Sequence, residues 1–398
     1  MKTEHFDIVI IGAGIHGAGI AQAAACYGYR ILVLEKSAVA AGTSSRSSKL
    51  IHGGLRYLES GQFALVRECL RERDLLLQLA PDLVRMRRFC IPLYEFSSRS
   101  SAKVGLGLGV YALLAGLRSS SWFKRIPRAQ WDTLNGLATE KLLSVFEYND
   151  AQTDDRELTK AVLQSALDMG AQLYMPAQFT GARLAEPGEP CEVQFSLDGK
   201  QQSCTTTLLI NAAGPWVNEV LAKITPVQTP TPVDLVQGTH VIVQAPLGEC
   251  IYYLEAPQDR RAVFVMPWKN HVMIGTTETL FTSSADQVKP LPEEVEYLLN
   301  TFEQYFPQQN PRIIDKFAGL RVLPAASASA FRRPRDTMIQ WDNVANPTVV
   351  SLYGGKLTAY RATAEKLLTR LLPLLPHKKP RADTKRLSLH PVDSVVGK

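Results

Sequence analysis

Residues 43–59, TSSRSSKLIHGGLRYLE, set four serines and a threonine beside a histidine, a Gly-Gly pair and three cations. Small hydroxyl side chains let a main chain come close to a ligand and supply hydrogen bonds to phosphate and sugar oxygens. Thr43, Ser44, Ser45 and Ser48, followed by Lys49 and Leu50, therefore read as the wall of an extended, phosphate-bearing cofactor. Arg56 and Tyr57 add a forked cation and a hydroxyl donor suited to an anionic oxygen. Upstream, Gly12-Ala13-Gly14-Ile15-His16-Gly17 carries the GxGxxG spacing of a dinucleotide turn. Gly12 permits the tight turn, Gly14 admits a pyrophosphate to the backbone, and Gly17 lets helix and strand pack closely, while free N–H groups at the helix start meet the anion. Glu35, with Lys36 beside it, stands eighteen residues past the last glycine. An acid there accepts from a ribose diol and repels a 2′-phosphate, which selects FAD or NAD over NADP.

These groups need elements to hold them. FDIVII (6–11) is a continuous apolar run suited to a buried strand, AGIAQAAACYG reads as a helix, and RILVLE (30–35) as a second strand. LLINAAGPWVNEVL (208–221) is another apolar run that breaks at Ala212-Ala213-Gly214, just before Trp216. TVVSLYGGKLTAYRATAEKLL (348–368) breaks in the same way at Gly354-Gly355, just before Lys356, Leu357 and Thr358. Each later junction alone is equally a plain glycine turn between strand and helix. Together with the first they suit a long cofactor crossing the sheet, which favours FAD over NAD. Four further runs, VDLVQGTHVIV, CIYYLE, RAVFVMPW and HVMIGTT, read as antiparallel strands roofing that cofactor, and 62–145 reads as a helical stretch.

TSSRSSKLIHGGLRYLE closely resembles the signature of the FAD-dependent glycerol-3-phosphate dehydrogenases. FEYNDAQTDD (146–155), NAAGPWV (211–217), QGTHVIV (237–243), VFVMPW (263–268), IGTTE (274–278), AGLRVLP (318–324) and YGGKLTAYR (353–361) follow in that family's order. The resemblance implies noncovalent FAD, oxidation of sn-glycerol 3-phosphate to dihydroxyacetone phosphate, and electrons passed to a quinone at a membrane. It implies an α/β fold in which a Rossmann-type FAD-binding domain, glutathione-reductase-like or D-amino-acid-oxidase-like, is interleaved with an antiparallel-sheet substrate domain. The expected division is 1–80, 150–222 and 336–398 for FAD, and 81–149 and 223–335 for the substrate domain. It also brings Arg56, Arg321 and Lys356 to the flavin face to grip a phosphate dianion, with Tyr57, Thr276 and Arg335 as further substrate contacts. Phe179 joins the cofactor set. His52 and His240 are the candidates for the base, because imidazole titrates near neutral pH and both lie in family-like motifs. Lys356 or Arg321 is the candidate for stabilising negative charge on the reduced ring. For any one arginine the alternative is a surface ion pair.

Composition sets outer bounds. The 398 residues are 45% hydrophobic with a formal charge of +6, enough for a large core and mildly favourable to anionic partners. No nucleic-acid partner is expected. The N-terminus runs directly into a strand pattern and does not read as a signal peptide. The cysteines lack metal-ligand spacing and are read as reduced thiols of a cytoplasmic protein; no histidine sits in a ligand pattern, so no metal is assigned. VGLGLGVYALLAGL (104–117) is too short to span a bilayer. With Lys103, Arg118, Trp122, Lys124 and Arg125 around it, it is either a helix lying on the inner membrane face or one packed on the protein's own core. HKKPRADTKR (377–386) reads as a solvated basic tail.

Two departures from the family pattern bear on substrate. The GTTD-like stretch ends in Glu278, and Val322 follows Arg321 where a proline is usual. Longer relatives also carry about a further hundred residues of helical domain, within the size of one domain. A different phosphorylated or carboxylated alcohol is thus admitted. So is an oxidase of the same fold acting on an amino acid, amine or 2-hydroxy acid with dioxygen, and so is a flavin-binding protein without turnover.

Overall fold

A computed structural model describes residues 4–118, 121–184, 189–246, 248–325, 336–395 and 397. Among these residues the strands form a nine-stranded and a ten-stranded sheet.

In the first sheet, Glu4–Ile11 runs parallel to Ile31–Leu34 on one side and to Lys200–Asn211 on the other, and Val349–Tyr353 extends the parallel set. Side-chain alternation decides the faces. Ile8, Ile10 and Val33 pack toward the helices Ile15–Ala25, Asp155–Asp168 and Tyr360–Leu371. Val9, Ile11, Leu32 and Leu34 pack with Phe179, Val193 and Phe195 on the opposite side. Ile15–Ala25 is buried on nearly every side. This explains its alanines and glycines: a side-chain carbon at Gly19 would come within 2.7 Å of the Tyr360 ring.

In the second sheet, Val233–Gln244 pairs antiparallel with Arg312–Pro324 and with His271–Gly275, which places Gly238 opposite Gly319 and His240 opposite Gly275. Ala262–Trp268 and Ile251–Glu255 continue the sheet. The strand Ile251–Glu255 then meets Val84–Tyr94 in a short parallel seam, and Val84–Tyr94 pairs antiparallel with Leu142–Thr153. The α/β architecture and the four antiparallel runs match the sequence reading.

Three expectations are corrected. Residues 62–145 are not helical throughout: Phe63–Leu79 and Ser101–Leu114 are helices, but Val84–Tyr94 is a strand. Its second half buries both faces, Phe89, Ile91 and Leu93 in one cluster and Cys90 and Tyr94 in another, so no alternation marks it. Cys90 and Cys250 form a disulfide rather than two thiols; the seam brings them together because Ile251 lies opposite Phe89. The basic segment 377–386 is tied down at a few points and is not a free tail, while most of its side chains are exposed as expected. Lys378 Nζ lies 2.9 Å from Asp7 Oδ2, its neighbour Arg381 donates its backbone N–H to the Cys26 carbonyl, and Thr384 and the following Leu389 are buried.

Candidate active site

The stretch 43–59 adds the short strand Leu50–Ile51 to the ten-stranded sheet and is tied to that sheet and to the helices packed on the other. Thr43 Oγ1 donates to the Leu320 carbonyl at 2.7 Å, and Ser44 Oγ accepts from the Ile15 N–H at 2.9 Å. Ser47 donates its N–H and its hydroxyl to Asp155, whose buried carboxylate also takes Lys49 Nζ at 2.5 Å. Burial raises the Asp155 pKa, and Lys49 opposes that shift. Part of this polar richness is therefore anchorage. Lys49 and Ser45 do not line the cavity described next: Lys49 holds Asp155 and the Ser45 carbonyl, and Ser45 Oγ donates to the Gly42 carbonyl.

A cavity of about 440 Å³ opens between the sheets. Its wall takes Gly12, Gly14, Glu35, Lys36, Thr43, Ser44, Ser48 and Leu50 from the N-terminal segment, and Phe179, Ala212, Gly214, Trp216 and Gly354 to Thr358 from the later strand ends. Gly12 has φ +101°, and a side-chain carbon there would stand 2.8 Å from the Ala212 carbonyl oxygen, so the turn admits only glycine. Gly17 lies behind the wall, with the Gly12 carbonyl where its side chain would be. The Glu35 carboxylate accepts from the Ala13 N–H at 2.9 Å and from Ser37. Lys36 lies over the Trp216 ring, and both reach Asp286 in the short turn Ala285–Gln287.

His52, Arg56, Tyr57, Thr276, Arg321 and Lys356 line the same cavity. Tyr57 gathers two of these cations: Lys356 Nζ lies 3.9 Å and the Arg56 guanidinium 5.7 Å from its ring centre. Lys356 Nζ is buried, makes no hydrogen bond to the described residues, and stands 3.8 Å from Asp336 Oδ1. Arg321 Nη2 donates to Thr276 Oγ1 at 3.3 Å, and Nη1 lies 3.6 Å from Glu278. Gly238 and Gly319 face each other across the strands here. A side-chain carbon at Gly238 would meet Arg321 Nη2 at 2.8 Å, and one at Gly319 would meet the Arg46 carbonyl at 2.8 Å.

His240 is not on the wall. It is buried, stacks on Phe317, and its Nε2 lies 3.0 Å from the Ser48 hydroxyl, so it stands behind Ser48. Burial, then Arg321 and Lys49, push its pKa well below the usual imidazole value, and it is neutral. Arg335 lies outside the described residues.

The family model for FAD dependent oxidoreductases matches residues 7–361. The chain belongs to the FAD-dependent oxidoreductase family. It is 32% identical over 379 residues to the D-erythritol 1-phosphate dehydrogenase of Brucella abortus, covering 94% of this chain and 75% of that one. It is 35% identical over 381 residues to the aerobic glycerol-3-phosphate dehydrogenase of Escherichia coli, covering 94% of this chain and 74% of that one. Among solved structures it resembles the glycerol-3-phosphate dehydrogenase of Bacillus halodurans complexed with FAD, with TM-score 0.74 and 23% identity, over 97% of this chain and 68% of that one. The protein is thus an FAD enzyme of the glycerol-3-phosphate dehydrogenase type.

The cavity suits this FAD-dependent oxidoreductase chemically. The glycine cradle at Gly12 and the Glu35 acceptor suit the nucleotide half. Lys356 Nζ, although 3.8 Å from Asp336, makes no hydrogen bond to the described residues, and neither does His16 Nδ1, so both are polar atoms with hydrogen-bonding capacity left for a bound group. Burial lowers the His16 pKa to about 4, so it is a neutral partner. Among the wall residues that sequence reasoning did not assign are His16, Gln178, Tyr253 and Arg261. His16 fills a variable position of GxGxxG. Arg261 precedes the VFVMPW strand and carries no motif of its own.

Proposed function

We propose that this FAD-dependent oxidoreductase oxidises the secondary alcohol of sn-glycerol 3-phosphate to dihydroxyacetone phosphate and passes the electrons to a quinone. The observation that carries this reading is the shared wall: the cavity that holds the dinucleotide turn also holds Arg56, Arg321 and Lys356. Preorganised cations in a partly dry cleft favour a phosphomonoester dianion far more than a neutral polyol. When bound, FAD supplies the acceptor for the hydride leaving the carbinol carbon. Among the described residues two imidazoles line the wall; His16 sits in the dinucleotide turn, and His52, beside Arg56 and Tyr57 in sequence, takes the hydroxyl proton. Its backbone is fixed by the N–H donated to Thr358 Oγ1 at 3.1 Å. Tyr57 and Thr276 orient the substrate oxygens, and Lys356 offsets negative charge that develops beside it. The Brucella relative makes D-erythritol 1-phosphate the second reading.

The acceptor reading draws on another face. Leu106, Leu113, Leu117 and Trp122 are exposed apolar residues, with Lys103, Arg118 and Lys124 nearby. Among the described residues no helix is long and apolar enough to cross a membrane. These cations pair with Glu59, Asp74 and Glu147, so the exposed apolar side chains would carry contact with a lipid surface, where a quinone resides. The test is anaerobic bleaching of the holoenzyme by glycerol 3-phosphate and by D-erythritol 1-phosphate, followed by reoxidation with quinone in anionic vesicles or with dioxygen. Bleaching by glycerol 3-phosphate and fast reoxidation by quinone are expected. Bleaching only by an amine or amino acid, with stoichiometric peroxide, would overturn the reading.

A further inference from the structure

Arg261 lies just ahead of the strand Ala262–Trp268 and lines the cavity. It is mostly buried, and its Nη2 stands 2.9 Å from Glu278 Oε2. Glu278 in turn faces Arg321 Nη1 at 3.6 Å, so one buried carboxylate stands between two guanidinium groups of the same wall. Two such cations side by side repel each other strongly where water is scarce, and the carboxylate behind them is what lets them share a wall. The Glu278 contacts leave Arg261 with donors to spare. A guanidinium has five N–H groups. Nη1 points at the Glu278 carbonyl at 3.4 Å, Nη2 faces the carboxylate, and Nε is buried with no hydrogen-bond partner among the described residues. A buried donor without an acceptor is costly, and here it belongs to a cavity-lining side chain.

We propose that Arg261 is the second arm of a paired guanidinium seat, with Arg321, for the phosphate of the substrate. This rests on the reading of the cavity as a polyol-phosphate site and adds which wall receives the anion. Glu278 holds the two arms together, and Gly238 leaves the space into which Arg321 lies. The longer acid in place of the usual aspartate sits behind the seat and not in it, since Glu278 itself does not line the cavity.

The test is calorimetric titration of the FAD-loaded protein with inorganic phosphate, comparing the native chain with Arg261→Ala and Arg261→Lys. Native protein is expected to bind phosphate. Arg261→Ala weakens it about tenfold or more, the size of a lost charged hydrogen bond, and Arg261→Lys weakens it less because the charge stays while the fork is lost. FAD content and its absorption spectrum report that each variant is folded; should Arg261→Ala not fold, Arg261→Lys alone decides. Phosphate binding unchanged in a folded variant, or absent in the native protein, overturns the seat. Native protein that binds phosphate but is not bleached by any polyol phosphate would leave the seat standing and remove the proposed reaction.

Discussion

His52 and His240 both belong to motifs of the same family, and their surroundings separate them. His52 is on the wall. His240 is behind it, stacked on Phe317 with its Nε2 3.0 Å from the hydroxyl of the wall residue Ser48. Its place is tight, because a side-chain carbon at Gly275 would come within 2.1 Å of the ring. A neutral, buried imidazole that holds a serine in place is a positioning residue. His52→Asn should therefore lower kcat about a hundredfold or more, the usual contribution of a general base, with FAD retained. His240→Asn should cost much less in kcat. Steady-state kinetics on both variants decide the matter, and a larger kcat loss at His240 would reverse the roles. Residue chemistry of this kind was half legible in the sequence. Hydroxyls, cations and glycines could be named from their motifs, but Lys49 shows the limit: its partner Asp155 is 106 positions away, and no local pattern says whether an ammonium faces a ligand or a buried acid.

Elements were legible where one periodicity dominates. The glycine turn between Glu4–Ile11 and Ile15–Ala25, and the roofing strands, carry their own signals. Val84–Tyr94 does not, because its second half is buried on both faces and contains Pro92. Hidden in the same region is a support for the active-site loop. Gly53 donates its N–H to Tyr111 Oη at 2.8 Å, Tyr111 donates to Asp150 at 2.6 Å, and Asp150 pairs with the fully buried Arg73 at 3.0 Å. Burial raises the Asp150 pKa while Arg73 opposes the shift. The helix Ser101–Leu114 thus presents apolar residues outward and holds the backbone next to His52 on its inner side. Tyr111→Phe removes the hydroxyl that accepts from Gly53 and donates to Asp150, so it should destabilise the fold by about 1–3 kcal/mol. Urea unfolding measures this; an unchanged midpoint would show that the network carries no weight.

At the scale of the whole molecule, two sheets from interleaved segments enclose one cavity, and each brings a different kind of group to it. The parallel sheet contributes the glycine turns that accept a dinucleotide. The antiparallel sheet contributes Arg321 from a strand and Arg261 and Thr276 from strand ends, Arg56 comes from the turn Leu55–Ser60 between two strands of that same sheet, and Lys356 from the loop after Val349–Tyr353 of the other sheet. The pairing of distant segments follows from sequence order once the family likeness is seen, whereas the anchored 377–386 segment and the Cys90–Cys250 bridge depend on contacts between strands and loops that nothing local announces. The account stands on the claim that this cavity grips a phosphate dianion beside FAD. Its most direct test is the ratio of kcat/KM for glycerol 3-phosphate to that for glycerol in the native enzyme. Two or more charged hydrogen bonds to the phosphate predict a preference of about a thousandfold. A ratio within tenfold of unity would contradict it.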